Sequence, residues 1–157
     1  MEKFEFEVVV EDCALEVDAI DLANFITQLR RSYINAYAFV QLGNSERGRN
    51  GDFVRRIVES ANDDPGINQE FINFLSEYRF EFPKYSHVFS HNRRLPPEIE
   101  LSFSRISKNS PLAFMGYCTG TAILALAIAV ALAGGEVDLI KNKFKVNSLL
   151  DAIRKWR

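Results

Sequence analysis

The sequence predicts an α+β fold: a small, mostly antiparallel sheet covered by an amphipathic helix, followed by a C-terminal hydrophobic helix and a short basic amphipathic helix. Three observations lead there. KFEFEVVVE near the N-terminus alternates apolar and acidic residues, the period-2 signature of a half-buried strand. Leu22, Phe25, Ile26, Leu29, Tyr33, Ala36, Tyr37 and Val40 recur at helical spacing, the stripe of a helix laid on a core. PLAFMGYCTGTAILALAIAVALAGG, residues 111–135, carries no charge in a chain of which 25% is charged.

In the first strand Phe4, Phe6, Val8 and Val10 share one side, and Glu5 and Glu7 take the other. CALEV suggests a second short strand. Asp18 or Asp21 can then cap the helix, whose polar face holds Asn24, Gln28, Arg31, Ser32 and Asn35 and which stops at Gly43. GNSERGRNG has three glycines and no apolar residue, so it reads as a surface loop. A helix capped by Asp52 follows it, and Pro65-Gly66 breaks the chain. Ile67, Phe71, Phe74, Leu75 and Tyr78 mark another short helix, and RFEF returns to strand alternation. Ile99, Leu101 and Phe103 alternate with Glu98, Glu100, Ser102 and Ser104, which predicts a strand over Glu98 to Ile106. Beyond Gly134-Gly135, EVDLIKNKFKV holds two apolar runs around Lys141-Asn142, a hairpin pattern. Asn147 or Ser148 caps a last helix, where Leu149, Leu150, Ile153 and Trp156 form a stripe and Arg154, Lys155 and Arg157 complement the dipole. The sequence thus divides into residues 1–110, a soluble α+β part; 111–135, the hydrophobic helix; and 136–157, a hairpin and basic tail.

The uncharged stretch opens a fork. A membrane-crossing helix needs about 20 apolar residues, and the run is long enough. Its second half, Ala122 to Ala133, has no polar face, so something apolar must surround Ile123, Leu124, Leu126, Ile128, Val130 and Leu132. That surround is either lipid or this protein's own core. Gly116 and Gly120 have the GxxxG spacing by which two spanning helices approach closely. Against a span stand the mixed first half, MGYCTGT, and the abundance of alanine, which suits a helix closely packed inside a small domain. Trp156 reads as the anchor of the tail helix, either on a membrane surface or in a core.

Composition narrows the classes. A net charge of -2 excludes a surface built wholly for nucleic acid. The N-terminus lacks the basic and apolar regions of a signal peptide, which predicts a cytoplasmic protein, at most at the cytoplasmic face of a membrane. Cys13 and Cys118 fit neither a metal site nor a redox pair. His87 and His91 lie at i, i+4, yet PKYSHVFSHNRR does not read as a helix and no further ligand stands near. Asp63-Asp64 beside Pro65-Gly66 is turn chemistry. No nucleophile elbow, zinc signature or phosphate loop is present. Arg47, Arg49, Arg55 and Arg56 form a local basic group able to meet phosphates, diluted by Glu46, Asp52 and Glu59.

These observations predict a small non-enzymatic, membrane-associated protein with an N-terminal partner-binding domain and a hydrophobic helix that anchors, inserts or self-associates. The alternative is a fully soluble interaction or adaptor domain with the helix buried and nucleic acid as a further partner through the Arg group. The implied partner is another protein or a second copy of the chain, and no cofactor, metal or small-molecule substrate is inferred.

Overall fold

Strand β1, Phe4–Asp12, occupies the centre of a five-stranded mixed sheet. A computed structural model of the chain describes residues 3–12, 18–43, 65–78, 94–107 and 111–156, and every structural statement below concerns these. After β1 come helix α1, Ala19–Ala38, which runs into a π-helical turn, Phe39–Gly43, and helix α2, Ile67–Tyr78. Strand β2, Arg105–Ser107, and strand β3, Leu112–Cys118, lead to helix α3, Gly120–Leu132. The chain closes with the hairpin of β4, Glu136–Asp138, and β5, Lys143–Ser148, and with helix α4, Leu149–Trp156. The architecture is α+β, as the sequence predicts.

The strand order is β2-β3-β1-β5-β4. β1 pairs antiparallel with β3, Val8 opposite Phe114, and parallel with β5, Val8 opposite Phe144. β2 and β4 pair antiparallel with β3 and β5 and form the two edges. A sheet expected to be mostly antiparallel thus contains one parallel pair at its centre. Because β1 is held by β3 on one side and β5 on the other, segments far apart in the chain share a single sheet.

The alternation of β1 sends Phe6, Val8 and Val10 to one face, where Leu112, Phe114, Phe144 and Val146 join them in register. Helices α1, α3 and α4 cover this inner face. Phe25 of α1 stacks on Phe114 at a centroid distance of 5.7 Å and meets the Trp156 ring at 5.5 Å. Phe39 and Phe74 join the π-helical turn to α2 edge to face. Asp18 caps α1 by accepting from the Ile20 N–H at 2.7 Å, the expected partner for one of the first unpaired donors of a helix.

The 25-residue uncharged stretch is not one helix. Its first part is β3, its second part is α3, and the break falls at Thr119, whose hydroxyl accepts from the Ala122 N–H. α3 is buried on all sides and β3 carries only uncharged side chains on both of its faces, so the two read as one continuous uncharged run. α3 is about 20 Å long at 1.5 Å per residue, short of the ~30 Å hydrocarbon layer. Among the described residues no helix is long and apolar enough to cross a membrane. Every residue from Ala122 to Val130 is at most 2% exposed, so this chain itself supplies the apolar surround that the helix requires.

A second expectation also changes. Of the strand expected over Glu98 to Ile106, only the end is paired, within β2. Around Ile99 the chain instead turns, with the Pro96 carbonyl accepting from the N–H groups of Ile99 and Glu100, both at 3.0 Å. Glu100 meets Arg30 of α1 there, and Phe103 still reaches the core, beside Phe6 and Phe114. The predicted strands at CALEV and RFEF and the Asp52-capped helix lie outside the described residues.

Candidate partner-binding surface

The outer face of the sheet follows from the same alternation. In β1, Glu5, Glu7, Val9 and Glu11 point away from the helices, and in β5 so do Lys143, Lys145 and Asn147. Parallel pairing sets Glu7 opposite Lys143 and Val9 opposite Lys145. An acidic column therefore stands beside a basic one, separated by the ~4.8 Å spacing of neighbouring strands. Lys143 Nζ lies 3.6 Å from Glu7 Oε1, and Lys145 Nζ lies 3.3 Å from Glu11 Oε1. All four side chains are between 34% and 50% exposed, so these pairs add little to stability and remain open to an approaching charge.

Between them lies a shallow depression of about 360 Å3, lined by Glu7, Val9, Glu11, Pro111, Ala113, Lys143 and Lys145. Small side chains form its floor: Ala113 pairs with Val9, and both are buried. Tyr117, 57% exposed, stands on the same face opposite Glu5. What this arrangement can do chemically is recognise opposed charges over a small apolar floor.

The titratable groups displaced from their ordinary values lie elsewhere. Burial pushes the Cys118 thiol up to about 12, which keeps it protonated and a poor nucleophile at neutral pH. Burial also raises Tyr33, whose hydroxyl donates to the Ile99 carbonyl at 2.7 Å. Tyr37 is raised by burial, opposed by its hydrogen bond with Gln41. The Arg30 guanidinium holds Glu100 below the usual carboxylate range through their hydrogen bonds. Among the described residues no three His, Cys, Asp or Glu side chains are placed to hold a metal ion.

Several residues singled out from sequence belong to the core. Gly116 is in β3 and Gly120 is the first residue of α3, so they share no helix face for self-association. A methyl group at Gly116 would meet the Ser102 carbonyl oxygen at 2.8 Å and the Phe6 ring at 2.9 Å: this glycine packs against its own chain. Ile123, Leu124, Leu126, Ile128 and Val130 are buried, and Leu132 is half-buried. Trp156 closes the core, its indole N–H donating to the Ala129 carbonyl at 2.7 Å. Arg47, Arg49, Arg55, Arg56, His87, His91, Asp63, Asp64 and Cys13 lie outside the described residues.

Sequence reasoning named neither Glu11 nor Lys143 and Lys145 as site residues. Their signal was present, since KFKVN alternates lysine with apolar residues as FEFEV alternates glutamate. What could not be read was that these two strands are neighbours. Compared with protein families, with curated proteins and with solved structures, the chain matches none.

Proposed function

We propose that this chain is a non-enzymatic interaction module that recognises a charged protein surface with the outer face of its sheet. The observation carrying this reading is the pair of opposed columns, Glu7 and Glu11 beside Lys143 and Lys145, around an open depression floored by Val9 and Ala113. Such patterns contribute orientation and association rate more than raw affinity, and they do so where the side chains remain accessible, as these do. Two further features support it. The cysteine and tyrosine groups moved by burial are moved toward their less reactive forms. The apolar helix, read from sequence as a possible anchor, has its hydrophobic surface covered by the sheet and the other helices.

The test compares two variants with the same change in charge. K143E/K145E alters the sheet face, and R154E/K155E alters the exposed side of α4. Each tagged chain is expressed in its native host, and bound proteins are quantified after confirming folding by circular dichroism. A partner lost by the sheet variant and kept by the helix variant is the expected result. Partners retained equally by both would remove the outer face as the working surface.

A further inference from the structure

Resting on that reading of the outer face, we infer that its protein partner is a second copy of this chain, docked face to face about a twofold axis parallel to the strands. The argument starts from the order of the columns. Viewed from outside, the acids of β1 and the lysines of β5 lie side by side across one strand spacing. Two copies can stack these faces with a twofold axis running either along the strands or across them. An axis across the strands sets each acidic column on the acidic column of the other copy, which repels. An axis along the strands, midway between β1 and β5, exchanges the columns, so that acid meets base on both sides of the axis. Glu7 and Lys143, paired at one level of the sheet, are then each opposed by the complementary residue of the second copy. Such an isologous contact is self-complementary by construction.

Three structural details fit this occupant. Val9 and Ala113 are small and recessed, leaving room for long side chains from above at the ~10 Å separation of stacked sheets. Among the described residues the edges offer no rival contact of comparable length, since β2 and β4 are each three residues long, and short edge strands discourage pairing between sheets. The face is small: its three longer strands span about 14 Å across and ~20 to 30 Å along, below the ~800 Å2 per partner of a standard interface. The dimer therefore belongs to the weak class, and because its contacts are charged it weakens with salt.

Sedimentation of the intact chain from about 10 µM to about 1 mM tests this directly. Dimer is expected at the upper concentrations in roughly 20 mM salt, with affinity falling about tenfold or more in roughly 500 mM salt. K143E/K145E and E7K/E11K are each expected to be monomeric, because each sets like charge against like. Their equimolar mixture is expected to recover the dimer, since the acidic columns of one then meet the basic columns of the other. Should a variant fail to fold, zero-length carbodiimide coupling of mixed light and heavy-isotope wild-type chains gives the same information. Cross-links joining Glu7 or Glu11 of one chain to Lys143 or Lys145 of the other are expected. A wild-type chain that stays monomeric, a dimer that persists in either folded variant, or absence of mixed-isotope cross-links would overturn the inference. If the wild-type chain is monomeric while capture still yields a partner dependent on Lys143 and Lys145, the self-pairing fails and the interaction module stands.

Discussion

Arg30 and Glu100 meet in two hydrogen bonds, Nε to Oε1 at 2.8 Å and Nη2 to Oε2 at 3.0 Å, tying the middle of α1 to a turn seventy positions later. Glu100 also accepts from the N–H groups of Leu95 and Leu101. It therefore organises the turn as well as attaching it, and the bidentate geometry makes arginine hard to replace by lysine.

Replacing Glu100 by Gln is expected to destabilise the protein by about 2 kcal/mol, the scale of a hydrogen bond to a charged group. Urea unfolding at pH 7 measures it. The pH dependence has a definite sign. Folding holds Glu100 below its ordinary value of 4.5, so in that acid range the unfolded chain binds more protons than the folded one. The stabilisation is complete above the ordinary value and is lost as pH falls through the lowered folded value. Wild type should lose stability there faster than E100Q, and parallel curves would show that the pair contributes nothing.

Asn142 closes the β4–β5 turn with φ 52, and its buried Oδ1 has no hydrogen-bond donor. Its backbone carbonyl accepts from the Glu7 N–H at 3.0 Å, extending the contact between β1 and β5. Asn142→Gly keeps the left-handed backbone and removes the unpaired acceptor, so stability should stay within about 1 kcal/mol of wild type. Asn142→Ala should be worse by roughly 1 kcal/mol, because alanine is strained there. Asn142→Asp buries a carboxylate without a donor. It should lose stability as pH rises through its elevated folded pKa, the reverse of the Glu100 behaviour. Thermal melts at pH 4 and pH 8 separate the three.

Leu126, fully buried in α3, should cost about 2 to 5 kcal/mol when cut to alanine. Leu126→Arg should prevent folding altogether, since no partner for a buried guanidinium exists in this apolar surround. A folded, monodisperse L126R chain would contradict the burial of α3.

Trp156→Phe keeps most of the ring and removes the hydrogen bond to the Ala129 carbonyl, an expected loss of about 1 kcal/mol. Trp156→Ala should lose about 3 to 5 kcal/mol as the contact with Phe25 disappears. Chemical denaturation followed by circular dichroism is the suitable readout, because Trp156 is the single tryptophan and the variants lose its fluorescence.

In a Cys13→Ser background, Cys118 should react slowly with a thiol reagent at pH 8, since a thiol near 12 is ionised to roughly one part in ten thousand. The rate should climb about tenfold per pH unit up to pH 10 while the fold persists. A plateau near pH 9 would mean that the thiol is solvated.

The elements with an unambiguous period were legible in advance: β1 from its alternation, α1 from its stripe, and the β4–β5 hairpin from two apolar runs around Lys141-Asn142. The boundary inside residues 111–135 was obscured because the outward-facing residues of β3, Ala113, Met115 and Tyr117, carry no charge, which removes the polar alternation that marks a half-exposed strand. Thr119 before an alanine-rich run was the available clue, a capping residue at a helix start. Ile99 misled because its alternation with Glu98 and Glu100 serves a turn held by Arg30, a partner from a distant helix. The outer face was illegible for a different reason. Glu7 and Lys143 are ordinary surface residues until strand pairing makes them neighbours, and no local pattern encodes a parallel pairing across most of the chain.

That pairing also has a consequence for the birth of the molecule. The central strand leaves the ribosome before α1 and well before both of its neighbours, β3 and β5. Until they follow, β1 has exposed hydrogen-bonding edges on both sides, and the apolar stripe of α1 lacks α3 and α4. Closing such long loops before any sheet contact repays them slows folding, and a nascent chain in this condition is prone to capture by chaperones or by its own kind. A chain interrupted before Lys143 lacks the strand that pairs one whole side of β1 and should be treated by the cell as unfinished.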